Sequence, residues 1–249
     1  MKIIDEILEA KGKRKLHMTL IDPASQSPEK AGNIAREAGL AGSDYIMIGG
    51  STSVSSEMID STALQIRKQS GLKTILFPGS SEMISRNADA IFFMSLLNSR
   101  NTKFLMGYQV ASSRFVKRLG IETISMGYIV FEPGMTVGEV GEANLVGRDD
   151  TNLAASYVAA AELLGMRLVY LEAGSGAPQH IPPDTIRAVK KEASIPVIVG
   201  GGIRTPEAAR SVTDAGADIV VTGTVAERAV SVVESLSPIV EAVKGIAKR

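Results

Sequence analysis

The sequence has no cysteine in 249 residues. That excludes a disulfide framework, a thiol nucleophile and any zinc or iron–sulfur centre with cysteine ligands. Histidine is almost as scarce, and His17 and His180 cannot make a three-histidine metal centre. Neither sign of charge is in excess, with 27 Lys and Arg against 27 Asp and Glu. A balanced chain lacks the basic surface that dominant nucleic-acid binding requires, so no nucleic-acid partner is expected. No stretch reaches the roughly 18 uncharged apolar residues of a membrane span; the run 154–164 is short and carries Glu162. Asp5, Glu6 and Glu9 interrupt the first fifteen residues, which do not read as a secretory signal. The expectation is a cytoplasmic globular protein, large enough to bury its own core without staples.

Against these absences stand eight apolar, β-branched runs: Leu16–Ile21, Tyr45–Ile48, Thr74–Phe77, Ala90–Leu96, Ile124–Phe131, Arg167–Leu171, Pro196–Val199 and Asp218–Thr222. Several are continuous rather than alternating, as in strands covered on both faces. Helical patterns lie between most of them. Ser27-Pro28-Glu29 and Thr205-Pro206-Glu207 each supply an N-cap, a proline at the first helical position and an acid in the first turn. The last apolar stripe is expected to split at Ser237-Pro238. Eight strands alternating with helices predict a (β/α)8 TIM barrel over 1–249 as one domain. An open doubly wound sheet is the runner-up, but its glycine-rich first turn is missing. Residues 78–89 leave little room for the helix after strand three, which is expected to be short or missing.

Barrels of this kind carry their chemistry in the loops after the strands. The loops after strands seven and eight, Gly200-Gly201-Gly202 and Gly223-Thr224, suit a phosphate, because glycine lets backbone N–H groups approach an anion. After strand six comes Tyr170-Leu171-Glu172-Ala173-Gly174-Ser175-Gly176, in which Glu172 can accept a proton at the barrel mouth. Asp22, in the Asp-Pro turn after strand one, suits a hard cation such as Mg²⁺, with Ser51 at the end of strand two as a partner. His17 reads as structural and His180 as a surface residue.

Leu20-Ile21-Asp22-Pro23, Gly49-Gly50-Ser51, Tyr170–Gly176 and Val199-Gly200-Gly201-Gly202-Ile203-Arg204 together resemble the geranylgeranylglyceryl phosphate synthase family of archaea and its bacterial heptaprenyl relatives. The resemblance implies a prenyltransferase that joins the C3 hydroxyl of sn-glycerol 1-phosphate to geranylgeranyl diphosphate, the first ether bond of archaeal membrane lipids. It implies that Tyr170, Leu171, Glu172, Ala173, Gly174, Ser175, Gly176, Gly201, Gly202, Gly223 and Thr224 hold glycerol 1-phosphate. Asp22 and Ser51 would hold Mg²⁺. Glu172 would take the hydroxyl proton and Tyr170 would orient the alcohol. The tail would lie along Phe92–Leu97, Phe104–Tyr108 and 127–146. Two other readings stay open: a barrel acting on a sugar phosphate or an amino-acid-biosynthesis intermediate, and a non-catalytic barrel that binds a phosphorylated metabolite. A homo-oligomer is expected, and membrane contact is at most peripheral, since no basic amphipathic helix is evident in the sequence.

Overall fold

Along the first strand Leu16, Met18 and Leu20 alternate with His17, Thr19 and Ile21, and successive strand side chains point to opposite faces. In the computed structural model, which describes residues 1–50 and 54–246, the first set faces a barrel interior and the second faces a layer of helices. The strands are β1 (Leu16–Ile21), β2 (Tyr45–Gly49), β3 (Thr74–Phe77), β4 (Ala90–Leu96), β5 (Glu122–Val130), β6 (Leu168–Glu172), β7 (Val197–Gly200) and β8 (Ile219–Thr222). All are parallel, in chain order, and β8 pairs back to β1 to close the barrel. Met18, Met47, Phe92, Met126, Leu168 and Ile198 fill the interior. Outward-facing residues such as Ile48 and Leu76 pack on helices, each fully buried side chain contributing about 1.5–3 kcal/mol.

The helices are α1 (Ile3–Ala10), α2 (Pro28–Leu40), α3 (Ser56–Ser70), α4 (Tyr108–Leu119), α5 (Met135–Val140), α6 (Thr151–Leu163), α7 (Pro183–Glu192), α8 (Pro206–Asp214), α9 (Thr224–Arg228) and α10 (Val232–Lys244). The predicted caps are in place: Ser27 accepts from the Lys30 N–H and Thr205 from the Ala208 N–H. No helix separates β3 from β4, as the short 78–89 interval predicts. Beneath the barrel, Ile3, Ile4 and Ile7 of α1 join the inner core, and the Glu122 carboxylate accepts the Ile3 and Ile4 N–H groups at 2.7 and 2.8 Å. The chain end thereby plugs the face opposite the strand C-termini.

The expected split at Ser237-Pro238 is not found. α10 runs through Pro238, with Ser237 Oγ donating to the Val233 carbonyl. Leu236, Ile239, Val240 and Val243 are buried together, and this outweighs the roughly 3 kcal/mol that an internal proline costs. The division falls instead at 229–231, between α9 and α10. His17 is structural, as expected. It is wholly buried on the helix-facing side of β1, with Nδ1 2.8 Å from Ser43 Oγ and Nε2 3.0 Å from Thr222 Oγ1. Burial pulls its pKa down to about 3. Among the described residues no helix is long and apolar enough to cross a membrane.

Candidate active site

The register of β5 and β6 sets Tyr128 beside Tyr170 and Val130 beside Glu172. Tyr170 and Glu172 both point into the barrel, where Glu172 is only 6% exposed. Its Oε1 accepts the Gly174 N–H at 2.7 Å, and its Oε2 accepts the Tyr128 hydroxyl at 3.3 Å. Burial pushes the Glu172 pKa above the usual carboxylate range, while the Gly174 N–H and the phenols of Tyr170 and Tyr128 pull it back. Burial and the neighbouring carboxylate raise both phenols further, so they remain neutral donors. Phe77 closes the group, its ring 5.3 Å from that of Tyr128 and 5.6 Å from that of Tyr170. Sequence reasoning did not single out Tyr128. Alternation along β5 puts it inside the barrel, but only the pairing with β6 puts it on Glu172.

Beside Glu172 lies a small cavity formed by the loops after β6, β7 and β8, whose polar lining comes from Tyr170, Ser175, Arg204, Thr224 and the backbone at Gly176, Gly201, Gly202 and Gly223. Gly201 and Gly202 have φ of +84° and +70°, which other residues adopt only at a cost. A Cβ on Gly201 would sit 2.6 Å from Glu172 Oε1, and one on Gly202 would collide with the Gln179 backbone. Across the cradle Ser175 Oγ lies 3.2 Å from Thr224 Oγ1. The structure therefore brings together most of the predicted cradle. It corrects two members: Leu171 and Ala173 face outward into the helix-facing core, and the Ala173 N–H is engaged by the Gly200 carbonyl. Alternation along β6 and onto the residue just past its end turns Leu171 and Ala173 away from the site. His180, expected at the surface, is half-buried, with Nδ1 donating to the Ile181 carbonyl at 2.7 Å.

A larger cavity of about 350 Å³ opens on the other side of Glu172. Asp22, Gly50, Glu227 and Arg228 line its polar end. A Cβ on Gly50 would collide with the Asp22 carboxylate. Glu227, also missed by sequence reasoning, accepts the Asp22 N–H through Oε1 at 3.0 Å. Burial raises the pKa of both acids, and Asp22 adds to the effect on Glu227. The half-buried Asp22 carboxylate at this end suits a hard divalent cation that takes its remaining oxygens from a substrate. Among the described residues no cluster of three acids or histidines could hold a metal unaided. Ser51, the other predicted metal ligand, lies outside the described residues.

The remaining wall is mostly apolar. Phe92, Met94 and Leu96 come from β4, Phe104 and Tyr108 from the segment entering α4, and Val137 and Val140 from α5. Pro78, Ser80 and Ile84 of the helix-free β3–β4 connection complete it, so the missing helix leaves room on this flank. The segments nominated for an apolar tail thus meet in one cavity. On the segment through α4, Met106 and Val110 are exposed (60% and 67%), as are Arg114 and Lys117.

A profile of the PcrB family matches residues 6–243, nearly the entire chain. The chain belongs to the PcrB family. Among curated members, the geranylgeranylglyceryl phosphate synthase of Picrophilus torridus is 54% identical over 243 residues, covering 98% of this chain and 100% of that protein. The synthase of Thermoplasma acidophilum is 53% identical over 250 residues, covering 100% and 99%. The crystal structure of (S)-3-O-geranylgeranylglyceryl phosphate synthase from Thermoplasma acidophilum, in complex with substrate sn-glycerol-1-phosphate, superposes with a TM-score of 0.97 at 52% identity, covering 99% of this chain and 100% of that one. The tryptophan synthase alpha chain of Legionella pneumophila, at 16% identity and a TM-score of 0.65, shares the barrel fold alone with this PcrB-family chain.

Proposed function

We propose that this PcrB-family chain is a geranylgeranylglyceryl phosphate synthase, a prenyltransferase that joins the C3 hydroxyl of sn-glycerol 1-phosphate to geranylgeranyl diphosphate. One observation carries the reading. Glu172, Ser175, Gly223 and Thr224 line both the polar cradle and the apolar cavity, so a buried carboxylate stands where a phosphorylated alcohol and a long tail would meet.

The cradle of Ser175, Gly176, Gly201, Gly202, Gly223 and Thr224 holds the phosphate through glycine backbone and hydroxyls. Its position directs the glycerol toward Glu172. The tail lies between Phe92, Phe104, Tyr108 and Val137, and the diphosphate sits at the polar end beside Asp22. Asp22 would hold Mg²⁺ at that end, and the ion would supply positive charge to the leaving diphosphate. The allylic C1–O bond breaks, diphosphate leaves, and the glycerol C3 oxygen forms the new bond to C1. Its proton passes to Glu172, which the Tyr128 and Tyr170 phenols orient. Arg228, at the same end, adds positive charge for the departing group. The reading keeps the enzyme cytoplasmic, a homo-oligomer, in peripheral contact with the membrane that stores its prenyl substrate.

The experiment is product formation from glycerol 1-phosphate and labelled geranylgeranyl diphosphate, with Mg²⁺ and with chelator. The expected result is an ether product that needs Mg²⁺ and is absent with glycerol 3-phosphate. No product with any prenyl length would overturn the reading.

A further inference from the structure

The short helix α9 has its two ends in different parts of the site. At its start, Thr224 Oγ1 stands 3.2 Å from Ser175 Oγ in the cradle. One turn later, Glu227 Oε1 accepts the Asp22 N–H at 3.0 Å. Gln26 ties the two acids together, its amide donating to the Asp22 carbonyl and to the Glu227 carboxylate. Asp22 Oδ1 is committed to its own turn, accepting the Ala24 N–H at 2.9 Å. Both backbone groups of Asp22 and one carboxylate oxygen are thus occupied, and the carboxylate is set against Gly50, where no Cβ could fit.

A cation ligand works only if it is held in place, and the residues that hold ligands affect metal affinity almost as strongly as the ligands do. Glu227 holds Asp22 by geometry, from a helix whose first residue lines the phosphate cradle. We propose that Glu227 is a positioning residue for Asp22, and that α9 couples the setting of Asp22 to occupancy of the cradle by glycerol 1-phosphate. A phosphate bound at Gly223 and Thr224 pins the start of α9. The Gly223 carbonyl accepts the Ala226 and Glu227 N–H groups at 2.9 and 3.2 Å, so fixing Gly223 also fixes Glu227 and the Asp22 loop it holds. The coupling is reciprocal: each ligand tightens the other by the same factor. The inference rests on the proposed function for the identity of the two ligands.

The test uses the intact protein without turnover. Mn²⁺ is the probe, followed by the spin-resonance signal of the free ion, with or without glycerol 1-phosphate. In the wild type, glycerol 1-phosphate is expected to tighten Mn²⁺ binding at least fivefold. Glu227→Ala is expected to weaken Mn²⁺ binding about tenfold or more and to abolish the enhancement. Its affinity for glycerol 1-phosphate in the absence of metal stays as in the wild type. Glu227→Gln, whose amide oxygen can still accept the Asp22 N–H, restores most of both effects. Gln26→Ala, which removes a donor to both the Asp22 carbonyl and the Glu227 carboxylate, weakens Mn²⁺ binding and the enhancement in the same direction and serves if Glu227→Ala does not fold. Equal Mn²⁺ affinity and equal enhancement in wild type and Glu227→Ala overturn the inference. So does a parallel loss of glycerol 1-phosphate affinity in metal-free Glu227→Ala. Absence of ether product in the synthase assay overturns the proposed function alone, because Mn²⁺ binding is read without catalysis.

Discussion

Tyr128 donates its hydroxyl to Glu172 from the neighbouring strand, 3.3 Å away inside the barrel. That bond favours the charged carboxylate and so opposes the upward push of burial. A base works only above its pKa, so activity is expected to fall on acidification at a higher pH than an ordinary carboxylate would dictate. Tyr128→Phe removes the opposing bond, and the acid limb of kcat/KM is expected to move further up in pH. Glu172→Gln is expected to lower kcat by about 10²–10⁴ with glycerol 1-phosphate affinity retained. PH–rate profiles of the three proteins are the check, and near-full turnover by Glu172→Gln would remove the base from the mechanism.

Gly202→Ala places a methyl group in the Gln179 backbone at a φ of +70°. Strain of about 1–2 kcal/mol from the backbone alone, added to the collision, is expected to push the loops after β6 and β7 apart. KM for glycerol 1-phosphate should rise about tenfold or more, while affinity for the prenyl substrate changes little. Calorimetric titration of each substrate separates the two.

His17 gives the fold a pH dependence of its own. Its pKa is about 3 in the folded state and near its ordinary value of 6.5 in the unfolded chain. Between those values the unfolded chain binds the extra proton, so stability is full above about pH 6.5 and falls as pH drops toward 3. The slope approaches about 1.4 kcal/mol per pH unit. Urea unfolding of wild type and His17→Gln across this range is the measurement; the variant is expected to lose this part of the slope.

Ser112, buried on α4, lines the apolar cavity and donates to the Tyr108 carbonyl. Ser112→Trp is expected to fill part of that space. Use of a twenty-carbon prenyl diphosphate should fall about tenfold or more relative to a ten-carbon one, since each displaced methylene is worth about 1–3 kcal/mol. Competition between the two substrates in one reaction reads the ratio directly.

Much of this fold and site is legible in the sequence. Continuous runs such as Thr74–Phe77 and Ala90–Leu96 announce buried parallel strands because both faces are covered, and their bounds match the barrel. Gly200–Gly202 points to a phosphate because three consecutive glycines have few uses besides a close approach to an anion. What stayed hidden depends on pairing across the fold. Glu227 is one acid among many until β8 closes on β1 and brings it to Asp22, 205 residues away in sequence. Leu171 and Ala173 sit in the right segment but on the wrong face. Pro238 obeys a local rule that the burial of Leu236, Ile239 and Val240 overrides.

The bare β3–β4 connection bears on how substitutions in this barrel must be interpreted. A strand pair that lacks its covering helix has a register of only Ile75 with Ala90 and Leu76 with Ile91, the shortest around the ring. Phe77 and Phe92 behind it belong at once to the inner core and to the wall of the large cavity. A bound tail would therefore complete the packing of this sector, and the protein should melt later when its apolar ligand is present. Thermal protection by a non-reactive prenyl chain becomes a reporter of occupancy, and it needs no turnover, metal or second substrate.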